Sequence, residues 1–498
     1  MACSLTIRAD GDARMGTGHV MRMLALAQAW ATQSEPVRFV GRIEAGPLRE
    51  LIIAGGFSLT VLNAVHPDPA DMAVLLEQSS PDGWVALDGY HLDSGYQCGV
   101  RAAGRKSFVV DDTCDRDAYD ANVYLNQNIG AEELSPKLSP DALKLLGPRY
   151  ALLRQEFRAV RQTTKPCPKR ARNIMVTFGG SDPGNVSSRV LQALACLADP
   201  SLHVLVVAGA ANPHAEFLRP LAAALPCTCE VLQAVTDMPG LMAWAELAIS
   251  AAGSTCWELC YFGVPMLITS VADNQDIILT ELVRSGAAQA FPPQTRPEEL
   301  ASALGALVTD AALRQSMHET SQRLVDGHGA ERVVRAMRSE SISLRPARPE
   351  DAETLLFWRN HPSIVAQSFS PDLVTPESHA RWFASRLADP DCLLFIAEDS
   401  ARAPIGQIRF DIQDDSALLS ISVAPQCQKQ GFGTAMTRRA CSMLLRDRPS
   451  LVVQALVKPQ NTHSKTMFES VGFSQGIAKK DFAHPHLLFE LKGGSHAR

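Results

Sequence analysis

Four stretches of the sequence carry residue types that can do chemistry together. The first is "IRADGDARMGTGHVMRMLALAQAW" (Ile7 to Trp30), an apolar strand, a small polar loop and an amphipathic helix, with Gly16-Thr17-Gly18-His19 in the loop and Arg22 one turn later. Glycines let the backbone turn tightly and approach a ligand without a Cβ in the way. A helix beginning near His19 points unpaired N–H groups and a partial positive charge outward, which suits a diphosphate or a developing anion. An imidazole, titrating near ~6.5 when free, is a usable base around neutrality. Taken alone, GxGH equally fits a histidine that caps a helix. Asp10, Gly16, Gly18 and Arg22 are expected to meet the substrate beside His19 as base.

The second stretch, "GWVALDGY", ends a strand in Asp88 and Tyr90. The third is a pair of strand-to-helix junctions: "FGGSDPGN", with Gly180 and Ser181, and "SAAGSTCWELCYFGVPML", with Gly253, Ser254 and Thr255 at a helix mouth and Glu258 one turn in. A carboxylate there can accept hydrogen bonds from two ribose hydroxyls, or simply serve the helix dipole. "VADNQD" adds Asn274 and Gln275 just past the next strand, where an ordinary N-cap is the alternative. The fourth, "SISVAPQCQKQGFGTAMTRRACSMLL", passes from strand to helix through Gln428-Lys429-Gln430-Gly431-Phe432-Gly433. The Q-x-x-G-x-G spacing exposes successive backbone N–H groups as a nest for a pyrophosphate.

These residues need elements to hold them. From Leu5 to about Asn128, "SLTIRAD", "VRFVGR", "GWVALDGY" and "SFVVDD" read as strands alternating with helices, which predicts a parallel, doubly wound sheet. "RQTTKPCPKR" (Arg161 to Arg170), with two prolines among cations, reads as a linker. A second alternating series follows in "NIMVTFGGSD", "HVLVVAGA", "CEVLQAV", "AELAISAAG" and "VPMLITS". Two such halves bind ligand in the cleft between them, at C-terminal strand ends. At "SISLRPARPEDAETLLFWRN" the texture changes: a strand and a helix precede three successive strands, predicting an antiparallel α+β domain. The expected domains are therefore 1–160 and 171–340, both Rossmann-like, and 341–498.

Composition bounds the rest. The chain has 498 residues, too many for a single core, with 46% hydrophobic and 20% charged residues, as in a globular protein. A net charge of −6 provides no basic field for nucleic acid. No apolar run reaches membrane-spanning length, and "MACSLTIRAD" lacks the apolar region of a signal peptide. The twelve cysteines are scattered; Cys256 and Cys260 lie a turn apart, but no second pair joins them at metal spacing. Reduced thiols in a cytoplasmic protein, without membrane or nucleic-acid partners, are expected. No metal ligands are assigned.

The run Gly253-Ser254-Thr255-x2-Glu258-x4-Gly263-x-Pro265, followed by Asn274-Gln275, is similar to the nucleotide-binding half of two-domain, UDP-sugar-using glycosyltransferases (the GT-B fold). "IRADGDARMGTGHVMRMLALA", "LDGYHLD", "VVDDTCDR", "LGPRYALLRQEF", "VTFGGSDPGN" and "DGHGAERVV" together resemble the UDP-sugar hydrolase family of pseudaminic acid biosynthesis, over nearly all of residues 1–340. This resemblance implies that water attacks the anomeric carbon of UDP-2,4-diacetamido-2,4,6-trideoxy-β-L-altropyranose, releasing UDP and an inverted sugar without a metal. His19 matches the family's base, while Asp88 and Tyr90 would bond the sugar or hold His19; the family usually has another residue where Gly89 stands.

The Q-x-x-G-x-G turn, the strand ending at Val423 and "KPQNTHSKTMFESVGF" together resemble the GNAT N-acetyltransferase family across residues 341–498. The resemblance implies acetyl-CoA as co-substrate, met by Val423, Gln428, Gly431, Gly433, Thr434, Asn461 and Ser464. Many relatives have a tyrosine as general acid where this chain has Phe468, which leaves Ser464, His463 or a water as substitutes. "WRN" (Trp358-Arg359-Asn360) followed by "HARWFASRL" resembles nucleotide-sugar N-acetyltransferases, notably that of the same pathway; those three residues could meet nucleotide or sugar, though helix spacing could simply bury Trp358.

Taken together, the resemblances imply a bifunctional enzyme that acetylates the 4-amino group of a UDP-4-amino-4,6-dideoxy sugar and then removes UDP. The same chemistry on a related UDP-aminosugar, a glycosyltransferase, and a non-catalytic nucleotide-sugar-binding protein are the alternatives.

Overall fold

The computed structural model describes residues 4–11, 16–32, 36–44, 46–139, 142–160, 167–209, 212–233, 235–477 and 484–492. Residues 12–15 of the first glycine loop and 161–166 of the expected linker lie outside the described residues. The chain divides into two compact units, Ser4–Val334 and the part from Arg335 onward. The two α/β halves thus belong to one unit. The division falls inside the continuous helix Gly329–Ser339, six residues before the expected change at Ser341.

The first sheet contains β1 (Leu5–Ala9), β2 (Val37–Gly41), β3 (Ser58–Val61), β4 (Trp84–Asp88), β5 (Lys106–Val110), β6 (Val123–Asn126) and β7 (Leu143–Leu146). Its order is β3-β2-β1-β4-β5-β6-β7, and every pairing is parallel. All five residues of β1 and of β4 are buried, the signature of strands covered by helices on both faces. The chain reverses its direction of sheet growth between β1 and β4, so their C-terminal ends flank a crevice.

The second sheet repeats the design with β8 (Asn173–Thr177), β9 (His203–Ala208), β10 (Thr228–Gln233), β11 (Leu247–Ala251), β12 (Met266–Thr269) and β13 (Ala288–Ala290). Its order is β10-β9-β8-β11-β12-β13, again all parallel, with the reversal between β8 and β11.

The remaining unit holds a sheet of β14 (Ser343–Pro346), β15 (Cys392–Glu398), β16 (Pro404–Gln413), β17 (Ser416–Val423), β18 (Val452–Val457), β19 (Ser474–Gln475) and β20 (Leu487–Lys492). Neighbours in the order β14-β15-β16-β17-β18-β20-β19 are antiparallel except β17 and β18, which run parallel. Their pairing ends at Leu419 and Ala455, while β16 accompanies β17 as far as Val423. Beyond that point β17 and β18 part. Ile408, Phe410, Leu419, Val453 and Phe489 form the core beneath the helix Phe432–Asp447.

Among the described residues, no helix is long and apolar enough to cross a membrane, and no cluster of metal-ligand side chains occurs.

Candidate functional site

At the β1–β4 reversal, the helix Gly18–Ala31 begins with Thr17 as N-cap and no side-chain cap. Its first backbone hydrogen bond runs from Met21 N to Thr17 O, so the N–H groups of Gly18, His19 and Val20 find no backbone acceptor among the described residues. They face the crevice as donors for an anion. Gly16 takes a left-handed φ of 76°, which turns the loop into that helix.

His19 is 6% exposed, and its Nδ1 lies 2.7 Å from Asp88 Oδ1. Arg22 donates Nε to Asp88 Oδ2 at 2.6 Å and Nη2 to Asp88 Oδ1 at 2.6 Å. It donates Nη1 to both oxygens of Asp112 at 2.9 and 2.8 Å. Burial opposes a charge on Asp88, but Arg22 and then His19 outweigh it and hold the carboxyl down at about 2. An ionised Asp88 can only accept, so it fixes the proton on Nδ1 and leaves the Nε2 lone pair of a neutral His19 free for a substrate proton. Tyr90 places its ring edge-on to His19 with centroids 5.0 Å apart, donates its hydroxyl to Asp112 at 3.2 Å and accepts from Asn274 Nδ2 at 2.8 Å. Burial and then Asp112 push the Tyr90 phenol upward, so it stays a neutral donor.

Two expected substrate contacts have other work. Arg22 is 8% exposed, and the two carboxylates occupy its guanidinium; it positions Asp88. Asp10 is 1% exposed and paired with Arg8, with Arg42 N donating at 2.6 Å and His91 Nε2 at 2.9 Å. Arg8 is fully buried on β1 and is held between Asp10 and Asp71, the balance a buried guanidinium requires.

In the second half, the helix Thr255–Phe262 also starts without a side-chain cap, at Ser254. A Cβ on Gly18 would stand 3.6 Å from Ser254 Oγ, so the two uncapped helix mouths face each other. Gln275 Oε1 accepts from Val271 N at 3.0 Å, and its Nε2 lies 3.7 Å from the place of a Cβ on Gly253. Glu258 is desolvated enough to raise its carboxyl to about 7, against the pull of Arg154. The helix after Gly180 and Ser181 differs: Asp182 already accepts from Val186 N at 2.9 Å and Ser187 N at 3.0 Å. The anion-receptive mouth of this half is therefore at Ser254, while Gly180 and Ser181 belong to the turn after β8.

Asp112, Arg154 and Gly209 were not singled out in the sequence. Asp112 stands two residues past the end of β5, on the strand next to β4, which Asp88 ends, so the strand-end rule would have found it.

In the other unit, Gly431 (φ 87°) caps the helix Phe432–Asp447. Among the described residues, no backbone carbonyl accepts from the N–H groups of Lys429 to Thr434. The turn is an open nest beside the parting of β17 and β18. Gln428 is engaged: its Nε2 donates to Val423 O at 3.3 Å. Asn461 Oδ1 accepts from Ser464 N at 3.1 Å, capping the helix Thr462–Val471. Thr434, Thr462, His463, Thr466, Met467 and Ser470 line a cavity of about 360 Å³. Gly433 lies 3.5 Å, measured from the place of its Cβ, from Val423.

Phe468 packs on Phe473 and Phe489 at 5.0 and 5.9 Å and is 3% exposed. Trp358 is buried among Leu355, Phe383 and Leu394. Arg359 donates to Ser370 O at 2.8 Å, and Asn360 exchanges two bonds with Val374, each 2.8 Å. Arg359 and Asn360 thus hold the backbone at Ser370 and Val374, and Trp358 is buried, the alternative that its helix spacing offered. Gln407 and Ser422 lie opposite each other on β16 and β17, and their Oε1 and Oγ are buried without a partner among the described residues. Both residues lie next to Val423, where β17 runs on without β18.

Comparison with known proteins gives both units relatives. Residues 173–333 match the family described as "Glycosyltransferase family 28 C-terminal domain", and residues 341–474 match "Acetyltransferase (GNAT) domain". The chain thus joins GT-B-like Rossmann halves to a GNAT acetyltransferase fold. An uncharacterized protein, MJ1062 of Methanocaldococcus jannaschii, is 22% identical over 95% of this chain and 96% of its own length. The spore coat polysaccharide biosynthesis protein SpsG of Bacillus subtilis is 33% identical over 38% of this chain and 56% of its own. A UDP-N-acetylglucosamine–N-acetylmuramyl-(pentapeptide) pyrophosphoryl-undecaprenol N-acetylglucosamine transferase of Pseudomonas paraeruginosa is 27% identical over 34% of this chain and 49% of its own. This chain therefore spans about half the length of the latter two. Among solved structures, MurG of Acinetobacter baumannii aligns with 67% of the chain and 98% of its own, at 19% identity and a TM-score of 0.47.

Proposed function

We propose that the chain is a bifunctional nucleotide-sugar enzyme: it acetylates the 4-amino group of a UDP-4-amino-4,6-dideoxy sugar with acetyl-CoA, and it hydrolyses the resulting UDP-2,4-diacetamido-2,4,6-trideoxy-β-L-altropyranose at C1. The observation that carries the hydrolytic half is the chain of contacts from His19 through Asp88 and Arg22 to Asp112. It supplies a base of fixed tautomer beside two uncapped helix mouths. His19 Nε2 takes a proton from water as its oxygen bonds to the anomeric carbon. The C1–O bond to the β-phosphate breaks, and the growing negative charge on UDP meets the N–H groups at Gly18 and Ser254. Glu258 would accept from the ribose hydroxyls.

For acetyl transfer, the turn Lys429–Thr434 receives the diphosphate of coenzyme A, and the thioester lies where β17 and β18 part. The neutral amine adds to the thioester carbonyl, the adduct's nitrogen gives up one proton to water, and the C–S bond breaks to release coenzyme A, whose thiolate takes up a proton from water.

Transfer of the sugar to a hydroxyl acceptor is the second reading, favoured by the match of residues 173–333 to a glycosyltransferase family. Mass spectrometry of purified protein with acetyl-CoA and the UDP-4-amino sugar separates the two. The proposal expects acetylated nucleotide sugar, then free diacetamido sugar and UDP, with no acceptor added. UDP that appears only with an acceptor would establish the transferase, and no UDP under either condition would leave a binding protein.

A further inference from the structure

We infer that Arg335 belongs to the acyl-donor site, its guanidinium pairing with the phosphates of coenzyme A bound at the Lys429–Thr434 turn; the inference rests on the acetyl-CoA reading above. Arg335 precedes the segment that matches the acetyltransferase family, which begins at residue 341. It sits on the helix Gly329–Ser339, in the same compact unit as that turn. The stem of Arg335 runs along the turn: its Cγ and Cδ lie 3.6 and 3.7 Å from the position of a Cβ on Gly431. Glycine at 431 satisfies a left-handed φ of 87° and leaves the N–H side of the turn uncovered.

Neighbouring contacts fix the helix in this seat. Met337 and Ile342 are buried, and Glu340 pairs with Arg438, about two turns into the helix that Gly431 caps. Arg335 itself is exposed, and among the described residues no carboxylate pairs with it. A nest of neutral N–H groups binds a diphosphate more tightly when a planar cation can take a second face of the anion in a two-pronged bond. The arrangement thus supplies backbone donors from the acetyltransferase fold and a cation from the helix leading into it.

The test is calorimetric titration of the full-length protein with coenzyme A and, separately, with S-acetylpantetheine, which lacks the phosphates. Arg335→Ala should weaken coenzyme A about tenfold, the scale of one charge-assisted contact discounted for solvent exposure. Arg335→Lys should recover part of the loss, and S-acetylpantetheine should bind parent and variants alike. Arg446→Ala, which removes an exposed cation from the last turn of the helix Phe432–Asp447, far along it from Gly431, should leave both affinities unchanged. Parent-like binding of coenzyme A by Arg335→Ala overturns the inference, as does an equal loss for both probes or an equal loss in Arg446→Ala. If the parent protein binds neither probe, the acetyl-CoA reading itself falls.

Discussion

At His19, the Asp88 carboxylate, held at about 2, stays ionised across the working range and so keeps accepting from Nδ1. On the proposed mechanism, His19→Ala should lower UDP release by roughly 10²–10⁴-fold while acetyl transfer is kept, since loss of a general base has that scale. Asp88→Asn should also slow release, because an amide can donate to Nδ1 and invert the tautomer. Steady-state kinetics of both reactions checks this, and a folded His19→Ala protein with parental UDP release would reduce His19 to a helix-mouth residue. Glu258 titrates in a more useful range. Its carboxyl is raised to about 7 by desolvation, so part of it is protonated at neutrality. Ribose hydroxyls donate to the ionised form and favour it. Affinity for the UDP-sugar should therefore rise as pH rises through about 7, then level off, falling up to about tenfold per unit below. Glu258→Gln should bind more weakly with a flat profile between pH 6 and 8; a parental slope in that variant would place the titration elsewhere.

At the scale of elements, the turns after parallel strands decide what the site can hold. Gly209, just past β9, approaches the turn after β8 so closely that a Cβ would stand 2.2 Å from Gly180 O and 2.5 Å from Gly179 O. Those are backbone atoms and cannot rotate away. Gly209→Ala should cost about 1–3 kcal/mol, as overpacking does, and should raise KM for the UDP-sugar by displacing Gly180 and Ser181. Thermal denaturation gives the first number, and an unchanged Tm would mean that the turn yields freely. The same elements show what a sequence can disclose. The strands β4, β8 and β11 were legible because burial on both faces demands a largely apolar run; β1, which carries Thr6 and Arg8, was legible from the glycine loop and helix that follow it. By contrast, β3 is half-exposed and β13 has three residues, too little pattern to register. His19 and Glu258 were legible because each lies next to a glycine turn and a helix start. Asp88, 69 positions from His19, was named through the resemblance as a residue that would bond the sugar or hold His19, whereas Asp112, 90 positions from Arg22, was not named. Asp10 was assigned to the substrate because nothing in the local sequence shows that Arg8, two residues earlier, points into the core and claims it.

At the scale of the whole molecule, the two proposed reactions fall in two compact units, and the chain passes from one to the other within the helix Gly329–Ser339. Cutting at Ser341, where the sequence texture changes, would leave Arg335 and the Glu340 partner of Arg438 on the wrong fragment. The fragment from Ser341 should then bind coenzyme A more weakly than the intact chain in calorimetry; equal affinity would show that the helix adds nothing.

The bond broken in the first unit is the remaining question at this scale. In the proposed pose the nucleotide lies on the Ser254 and Glu258 side, which belongs to the second half, while His19 belongs to the first. The base would then face the sugar side of the crevice, and water activated there reaches the anomeric carbon before it reaches phosphorus. In ¹⁸O-enriched water the label should enter the anomeric hydroxyl of the released sugar, as mass spectrometry of the products would record. Label recovered in UDP would mean attack at phosphorus. It would overturn the role given to His19 while leaving the identity of the sugar open to the same experiment's mass of the second product.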